Sequence, residues 1–217
     1  MKTIIICAGG PEEEIIPLAP FLEDGAEFIG ADRGTLRLLA ANIIPIAAIG
    51  DFDSVSEAEM KKIEATGCFL EKRSPEKDET DTELALSYAY SKEPDRIILT
   101  GVTGGRLDHM FSVLQLLVRN VSHMKSTQLI MANRQNELTL LQKGTYTIEH
   151  NEQFKYLSFY SMTEAVKGLT LKGVKYEVSG EEIIFGDTRF TSNEILEASC
   201  TISLLAGICL MVRSSDS

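Results

Sequence analysis

The stretch IILTGVTGGRLDH, residues 97–109, joins an apolar run to a segment of helical character through a loop that contains three glycines. The apolar run does not alternate with polar residues, which is typical of a strand buried on both faces of a sheet. Residues 106–121 carry apolar side chains at helical spacing, and these form a single stripe. The order strand, loop, helix is the repeating unit of a parallel α/β sheet.

Similar apolar runs lie on both sides of this stretch. Each is short, and segments of helical character lie between them, the clearest of which is 81–92. The runs are 3–7, 28–31, 46–49, 69–70 and 129–131. This repetition predicts a Rossmann-like parallel α/β domain over residues 1–134.

The character of the sequence changes after residue 134. β-branched and aromatic residues occur in short stretches between glycines, and they predict antiparallel strands at 145–148, 156–160, 176–178 and 183–185. No segment there favours a helix. We therefore predict a boundary near residues 133–136 and a second domain, residues 135–217, that forms an antiparallel β-sandwich, with a half-barrel as the alternative.

Composition restricts the class of protein. The 217 residues are 44% apolar and carry a formal net charge of -11, which argues against a nucleic-acid partner because such binders concentrate Lys and Arg. No apolar run approaches the roughly 20 residues that cross a bilayer, and no signal peptide is recognisable. We expect a cytoplasmic protein with no membrane partner, whose four cysteines are buried thiols.

Ligands of parallel α/β sheets bind beyond the carboxyl ends of the strands, so the residues that follow each apolar run are the candidates. Asp32 and Gly34 follow the second run. An acid at the start of a helix is the simpler interpretation of Asp32 alone, because the helix dipole favours it there.

The third apolar run is followed by GDFDS at residues 50–54, which places Asp51 and Asp53 two residues apart. Two neighbouring carboxylates repel each other unless a cation lies between them, and hard oxygen ligands suit Mg²⁺. The alternative is a turn in which Asp53 or Ser54 caps a following helix.

A third acidic stretch is KDETD, residues 77–81. Thr80 and Glu83 have the spacing of a capping box, so Thr80 is expected to be the N-cap of the helix that follows. Asp78 and Asp81 place more negative charge at the start of this helix than interaction with the helix dipole explains. We interpret Asp81 as a metal or substrate residue.

The glycine-rich loop before residue 106 is the most informative stretch. Its glycines allow a phosphate to approach the backbone, although neither the P-loop nor the G-x-G-x-x-G spacing is present. The alternative is a tight turn. Arg106 is available to pair with phosphate oxygens, and Asp108 lies one turn into the helix. His109 is interpreted as a structural residue beside the apolar stripe.

Together these stretches resemble the thiamine pyrophosphokinase family in order and spacing. GDFDS at 50–54, KDETD at 77–81 and GGRLDH at 104–109 are similar to three blocks of that family. Ala31-Asp32 with Gly34 is similar to a fourth, and TSNE at 191–194 is similar to a late Ser-Asn-Glu segment. The resemblance spans nearly the whole chain.

The resemblance implies an N-terminal domain that binds ATP and Mg²⁺ and a C-terminal β-sandwich that binds thiamine and dimerises. It implies a homodimer with thiamine in a cleft where the subunits meet. The hydroxyl of thiamine would attack the β-phosphorus of ATP, AMP would leave, and Mg²⁺ would neutralise charge on the transferred group.

The resemblance also assigns roles to individual residues. The metal-side carboxylates would be Asp51, Asp53 and Asp81. The ATP-side residues would be Asp32, Gly34, Asp51, Ser54, Thr103, Gly104, Gly105 and Arg106. The residues at thiamine and the reacting phosphates would be Lys77, Asp78, Asp81, Asp108, Ser192 and Asn193. Catalysis would rest on Asp53, Asp81, Asp108 and Arg106.

Two other functions remain open from the sequence. DFDSV at residues 51–55 also matches the nucleophile loop of haloacid-dehalogenase-like phosphatases, in which Asp51 would be phosphorylated. That loop normally follows the first strand, whereas here it follows the third predicted strand. The non-enzymatic alternative is a Mg-nucleotide sensor module, which would have no need to keep every acidic residue.

Overall fold

The computed structural model describes residues 1–72 and 79–216, and the chain divides into two compact units, Met1–Arg134 and Gln135–Ser217. The strands of the first unit are β1 (Thr3–Cys7), β2 (Glu27–Ala31), β3 (Ala47–Gly50), β4 (Phe69–Lys72), β5 (Arg96–Thr100) and β6 (Gln128–Ala132). Its helices are α1 (Ala19–Glu23), α2 (Gly34–Ala40), α3 (Glu57–Glu64), α4 (Asp81–Tyr90) and α5 (Leu107–Arg119). Two 3-10 helices span Glu12–Glu14 and Val121–Lys125.

The strands of the first unit lie in the order β4-β3-β2-β1-β5-β6, and every neighbouring pair is parallel. Strand β1 lies inside the sheet, where Ile5 pairs with Phe28 of β2 and with Ile98 of β5. All five residues of β1 are buried, which is why its sequence does not alternate. The predicted α/β class is confirmed for this unit.

The two clearest helix predictions correspond to α4 and α5. Thr80 is the N-cap of α4, since its hydroxyl accepts a hydrogen bond from the Glu83 N–H at 3.2 Å. The Glu83 carboxylate instead accepts a hydrogen bond from Arg119 of α5, so half of the expected capping box is formed.

No helix in the described ranges is long and apolar enough to span a membrane.

The second unit contains seven strands and, within residues 135–216, no helix. They are β7 (Asn136–Leu141), β8 (Gly144–Glu149), β9 (Tyr156–Ser161), β10 (Ala165–Lys172), β11 (Val178–Ile184), β12 (Ser199–Leu204) and β13 (Cys209–Ser214). They form the antiparallel sheets β7-β13-β9 and β11-β10-β12-β8. Phe159 and Met211 of one sheet pack in a common core with Leu171 and Ile202 of the other. The β-sandwich prediction is confirmed, and the half-barrel alternative is wrong.

One detail of the second unit differs from the prediction. Segments 176–178 and 183–185 were expected to be separate strands, but the structure has the single strand β11. Gly180 lies inside this strand with a φ of 72°, and the pairing of β11 with β10 is irregular there. Glycine in this strand therefore permits a local distortion of the strand, not a chain reversal.

Two glycines let α2 pack closely on the sheet. A Cβ atom on Gly34 would lie 1.8 Å from the carbonyl oxygen of Cys7, and one on Gly30 would lie 2.2 Å from the Oγ1 of Thr35. This close approach fixes the loop between β2 and α2, which contains Asp32.

We expect Gly34→Ala to lower the free energy of unfolding by at least about 1–3 kcal/mol because of overpacking. Helix propensity alone would instead raise the free energy of unfolding of Gly34→Ala by up to about 1 kcal/mol, so the sign of the measured change identifies its cause. Urea unfolding measures it, with Gly144→Ala as control, because a Cβ there would meet its nearest atom at 3.4 Å. Unchanged or increased stability of Gly34→Ala would contradict the packing argument.

All four cysteines are free thiols. Burial raises the pKa of Cys7 and Cys209 to about 12 and also raises the pKa of Cys200. Cys68 is only half-buried, so the prediction of buried thiols is confirmed for three residues and wrong for this one.

We expect iodoacetamide at pH 8 to alkylate Cys68 rapidly and the other thiols slowly in the native protein. Only the thiolate reacts, and a thiol with a pKa near 12 is ionised to about one part in 10⁴ at that pH. Mass spectrometry of time points measures the rates, and Cys68→Ser should remove the fast phase. Fast labelling of Cys7 in the folded protein would contradict its burial.

Candidate active site

A cavity of about 610 Å³ lies in the first unit at the carboxyl edge of its sheet, where ligands of parallel sheets bind. The loops after β1, β2, β3 and β5 line it together with the first turns of α4 and α5. Its lining includes Ala8, Gly9, Gly10, Pro11, Asp32, Arg33, Asp51, Ser54, Thr80, Asp81, Thr103, Gly104, Gly105, Arg106 and His109.

Three carboxylates cluster at this edge. Asp32, Asp51 and Asp53 each offer an oxygen atom, and these atoms all lie within 4.8 Å of one another. The Ser54 hydroxyl donates a hydrogen bond to Oδ2 of Asp32 at 2.7 Å. The other oxygen of Asp32, Oδ1, is buried and has no hydrogen-bond partner within the described part of the chain.

This donor set fits a hard divalent cation. Carboxylate and hydroxyl oxygens are the ligands that Mg²⁺ prefers, and a buried carboxylate oxygen without a partner is costly unless a cation or water satisfies it. Asp32, Asp51 and Asp53 are therefore the residues that would hold the metal.

The backbone around the cluster is unusual. Asp32 and Phe52 have φ angles of 47° and 56°, a region that side chains other than glycine rarely adopt. The Phe52 ring is buried in an apolar cluster with Ala48 and Ile63, and this packing offsets the strain. Strain at this turn is typical of functional sites.

The helix-cap alternative for Asp53 and Ser54 is wrong. Helix α3 begins at Glu57, and its N-cap is Ser56, which forms a complete capping box with Glu59. Asp51 Oδ1 accepts a hydrogen bond from the Asp53 N–H at 3.1 Å, which shapes the turn. The carboxylate of Asp53 is exposed beside the other two.

Arg33 links two of the loops around the cavity. Its Nη1 atom donates a hydrogen bond to the carbonyl oxygen of Ser54 at 2.7 Å. The guanidinium thus holds the turn after β3 against the turn after β2, and it places one positive charge beside the acidic cluster.

The glycine-rich loop after β5 is held by close packing. Gly101, Gly104 and Gly105 have φ angles of 68°, 77° and 64°. Glycine adopts these angles without the steric penalty that a side chain would bring. A Cβ atom on Gly101 would lie 2.5 Å from the carbonyl oxygen of Ala8. A Cβ on Gly105 would meet no atom of residues 1–72 and 79–216 within 4 Å, so these residues leave space for a ligand beside it.

Arg106 and Asp108 pair with each other at the start of α5. The guanidinium donates from Nε to Oδ1 at 3.1 Å and from Nη2 to Oδ2. The hydrogen bond from Arg106 lowers the pKa of Asp108 to about 2. Arg106 lines the cavity, whereas Asp108 does not. His109 is exposed and also lines the cavity, which differs from its interpretation as a structural residue.

Asp81 lies on the same cavity without belonging to the acidic cluster. It is the first residue of α4 and is half-buried. The family resemblance grouped it with Asp51 and Asp53, whereas the structure places Asp32 beside them. Lys77 and Asp78, the other residues expected here, lie outside the described residues.

Gly34 does not line the cavity, and its close approach to β1 accounts for the absence of a side chain. Sequence reasoning also missed the loop after β1, where Gly9 and Gly10 line the cavity. Two consecutive glycines directly after the first strand were the available signal.

In the second unit, the predicted residues Ser192 and Asn193 organise a loop. Asn193 is buried, its Oδ1 accepts from the N–H groups of Tyr176 and Glu194, and its Nδ2 donates to the Tyr176 carbonyl. Ser192 has a φ of 59° and donates its N–H to the Oγ of Ser158. A cavity of about 360 Å³ lies here, lined by Tyr176, Val178, Glu181, Arg189, Phe190, Thr191 and Asn193.

Known proteins share this arrangement over the whole chain. The family description "Thiamin pyrophosphokinase, catalytic domain" matches residues 20–131, and "Thiamin pyrophosphokinase, vitamin B1 binding domain" matches residues 145–209. The thiamine pyrophosphokinase of Bacillus subtilis is 42% identical over 216 residues, which cover 100% of both chains.

Solved structures agree with this match. A Bacillus subtilis thiamine pyrophosphokinase superposes with a TM-score of 0.93 at 40% identity over 100% of both chains. The enzyme of Candida albicans shares the fold, with a TM-score of 0.82 at 15% identity over 99% of this chain and 89% of that one.

The two-domain fold is that of a transferase. The chain belongs to the thiamine pyrophosphokinase family. The resemblance stated from its motifs is thereby confirmed.

We expect Mg²⁺ to raise the melting temperature of the protein and Asp53→Asn to remove most of that increase, because a ligand that binds only the folded state stabilises it. Without metal, Asp53→Asn should be as stable as the parent protein or more so, since it relieves repulsion in the cluster. Differential scanning fluorimetry with and without Mg²⁺ measures both effects.

The matched control is Asp24→Asn, an exposed carboxylate outside the cavity lining, which should keep the full response to Mg²⁺. A lower melting temperature of metal-free Asp53→Asn together with an intact response to Mg²⁺ would mean that Asp53 has a structural role only.

Proposed function

We propose that this chain transfers a diphosphate group from ATP to the hydroxyl of thiamine, giving thiamine diphosphate and AMP. The observation that carries the proposal is the carboxylate cluster Asp32, Asp51 and Asp53. Two of its members, Asp32 and Asp51, line the same cavity as the glycine-rich loop. Membership of the thiamine pyrophosphokinase family supports the choice of acceptor.

In this proposal Mg²⁺ is held by Asp32, Asp51 and Asp53, and it neutralises charge on the triphosphate when bound. The buried Oδ1 of Asp32 supports this assignment, since it has no other partner. Asp81 lies across the same cavity at the start of α4. We place it next to the reacting groups, where a carboxylate either joins the metal shell or orients the attacking hydroxyl.

The triphosphate of ATP lies along the loop Thr103 to Arg106 in this proposal. Gly105 leaves open space beside the backbone. The Arg106 guanidinium pairs with phosphate oxygens after it exchanges its present partner, Asp108. A bidentate guanidinium suits a phosphate as well as it suits a carboxylate.

Thiamine carries a fixed positive charge, which acidic surroundings attract. We propose that the smaller cavity of the second unit contributes to its binding, with Tyr176 and Phe190 as the aromatic surface and Glu181 as the acid. Asn193 then acts by holding the Tyr176 backbone, and not as a free hydrogen-bonding group.

A homodimer and a cytoplasmic location complete the proposal. Exposed apolar side chains on the second unit, among them Ile184, Phe185 and Leu205, support an association surface. Four free thiols support a reducing compartment. Light scattering on the purified protein tests the dimer.

Neither alternative function is favoured. The comparisons with known proteins give no support to a haloacid-dehalogenase-like phosphatase or to a sensor module. In the structure Asp51 follows the third strand of the chain, and its Oδ1 already accepts a hydrogen bond from the Asp53 N–H.

The decisive experiment incubates the protein with ATP, Mg²⁺ and thiamine and follows AMP and thiamine diphosphate by chromatography. We expect both products in equal amounts and only with metal. Asp81→Asn should lower kcat about 100-fold or more, since it removes charge beside the developing transition state, with little change in melting temperature.

Asp24→Asn serves again as the control with unchanged kcat. Release of ADP or inorganic phosphate without thiamine diphosphate would favour the phosphatase alternative. ATP binding without turnover would favour the sensor.

A further inference from the structure

A small polar network lies beside the glycine-rich loop, and two of its members, Glu14 and Asn133, have no part in the chemistry proposed above. Glu14 is on the 3-10 helix after β1, Thr103 is in the loop, and Asn133 follows β6. Glu14 Oε2 accepts hydrogen bonds from Thr103 Oγ1 at 2.6 Å and from Asn133 Nδ2 at 2.6 Å. Asn133 Nδ2 also lies 3.0 Å from Thr103 Oγ1.

Two members of this network are shielded from water, and Glu14 is half-buried. Thr103 is 8% exposed and Asn133 is 7% exposed, so their donors depend on partners within the protein. Hydrogen bonds to a carboxylate are charge-assisted and stronger than those between neutral groups. The Thr103 hydroxyl gives its hydrogen to Glu14 and therefore is not a donor to a ligand in this state.

The same carboxylate side chain supports the backbone of the next residue. A Cβ atom on Gly104 would lie 2.8 Å from Cγ of Glu14 and 3.1 Å from Cγ of Pro11. Nearby, the Gly10 N–H donates to the Gly101 carbonyl oxygen at 2.9 Å. Segment 10–14 thus forms the surface against which the loop 101–105 rests.

We propose that Glu14 is a positioning residue for the phosphate-binding loop. It fixes Thr103 through its hydrogen bond and Gly104 through contact, so the loop is ordered before the triphosphate arrives. Ordering a binding loop in advance lowers the entropic cost of binding and keeps the reacting atoms in place. This inference rests on the proposed function, which places the triphosphate at this loop.

The pair Glu14 and Asn133 offers a specific test because its members can be exchanged. Glu14→Gln replaces the charge-assisted hydrogen bonds of this network with weaker neutral ones, and Asn133→Asp places two carboxylates together, so each single change weakens the network. The double variant Glu14→Gln with Asn133→Asp restores one carboxylate and one amide. Glu13→Gln is the matched control, because Glu13 is the exposed neighbour on the same turn.

The first measurement is hydrogen exchange by mass spectrometry on the free protein. We expect faster exchange in peptides that cover 101–106 in both single variants, and slower exchange restored in the double variant. Glu13→Gln should match the parent protein. This readout depends on neither turnover nor nucleotide binding.

The second measurement is the affinity for α,β-methylene-ATP with Mg²⁺, together with KM for thiamine. Each single variant should weaken analogue binding about tenfold, the effect of losing one charge-assisted hydrogen bond. KM for thiamine should stay unchanged, and the double variant should recover analogue binding.

Unchanged loop exchange and unchanged analogue affinity in both single variants would overturn the proposal. So would a double variant that regains the melting temperature but not the affinity, since Glu14 would then be structural only. If the parent protein forms no thiamine diphosphate while the loop exchange responds as expected, the proposed function fails and the positioning role stands.

Discussion

The parallel pairing of β1 with β2 on one side and β5 on the other is the constraint on which the site depends. It places the carboxyl ends of these strands at one edge of the sheet, and β3 joins them through β2. Loops that are distant in sequence therefore meet around one cavity. Because Ile4, Ile5 and Ile6 of β1 are fully buried, a polar residue in their place would disturb the core and the site together.

Much of this arrangement could be predicted from local sequence. The apolar runs located the strands of the first unit, and the glycines and acids directly after them located the loops of the site. Asp51 and Asp53 were recognised because they lie two residues apart. Asp32 was not placed with them, since its proximity comes from the parallel pairing of Ala31 with Ile49 and no local pattern encodes that pairing.

The remaining features depend on long-range contacts or on glycines in unexpected places. Glu14 meets Thr103 and Asn133 across 89 and 119 residues, a distance over which a single sequence carries no signal. In the second unit, Gly168 and Gly180 lie within strands at positive φ. If such a glycine is interpreted only as a turn signal, the prediction divides one strand into two or misses the strand.

The pairing of Arg106 with Asp108 places a competing anion beside the cavity. A carboxylate two residues away is present at a high effective concentration, so an incoming anion must displace a tethered rival. In the proposed function, a small monovalent anion would gain little from that exchange, whereas the triphosphate of ATP would also contact the glycine-rich loop. The Arg106–Asp108 pair would then favour binding of the triphosphate over binding of simple anions.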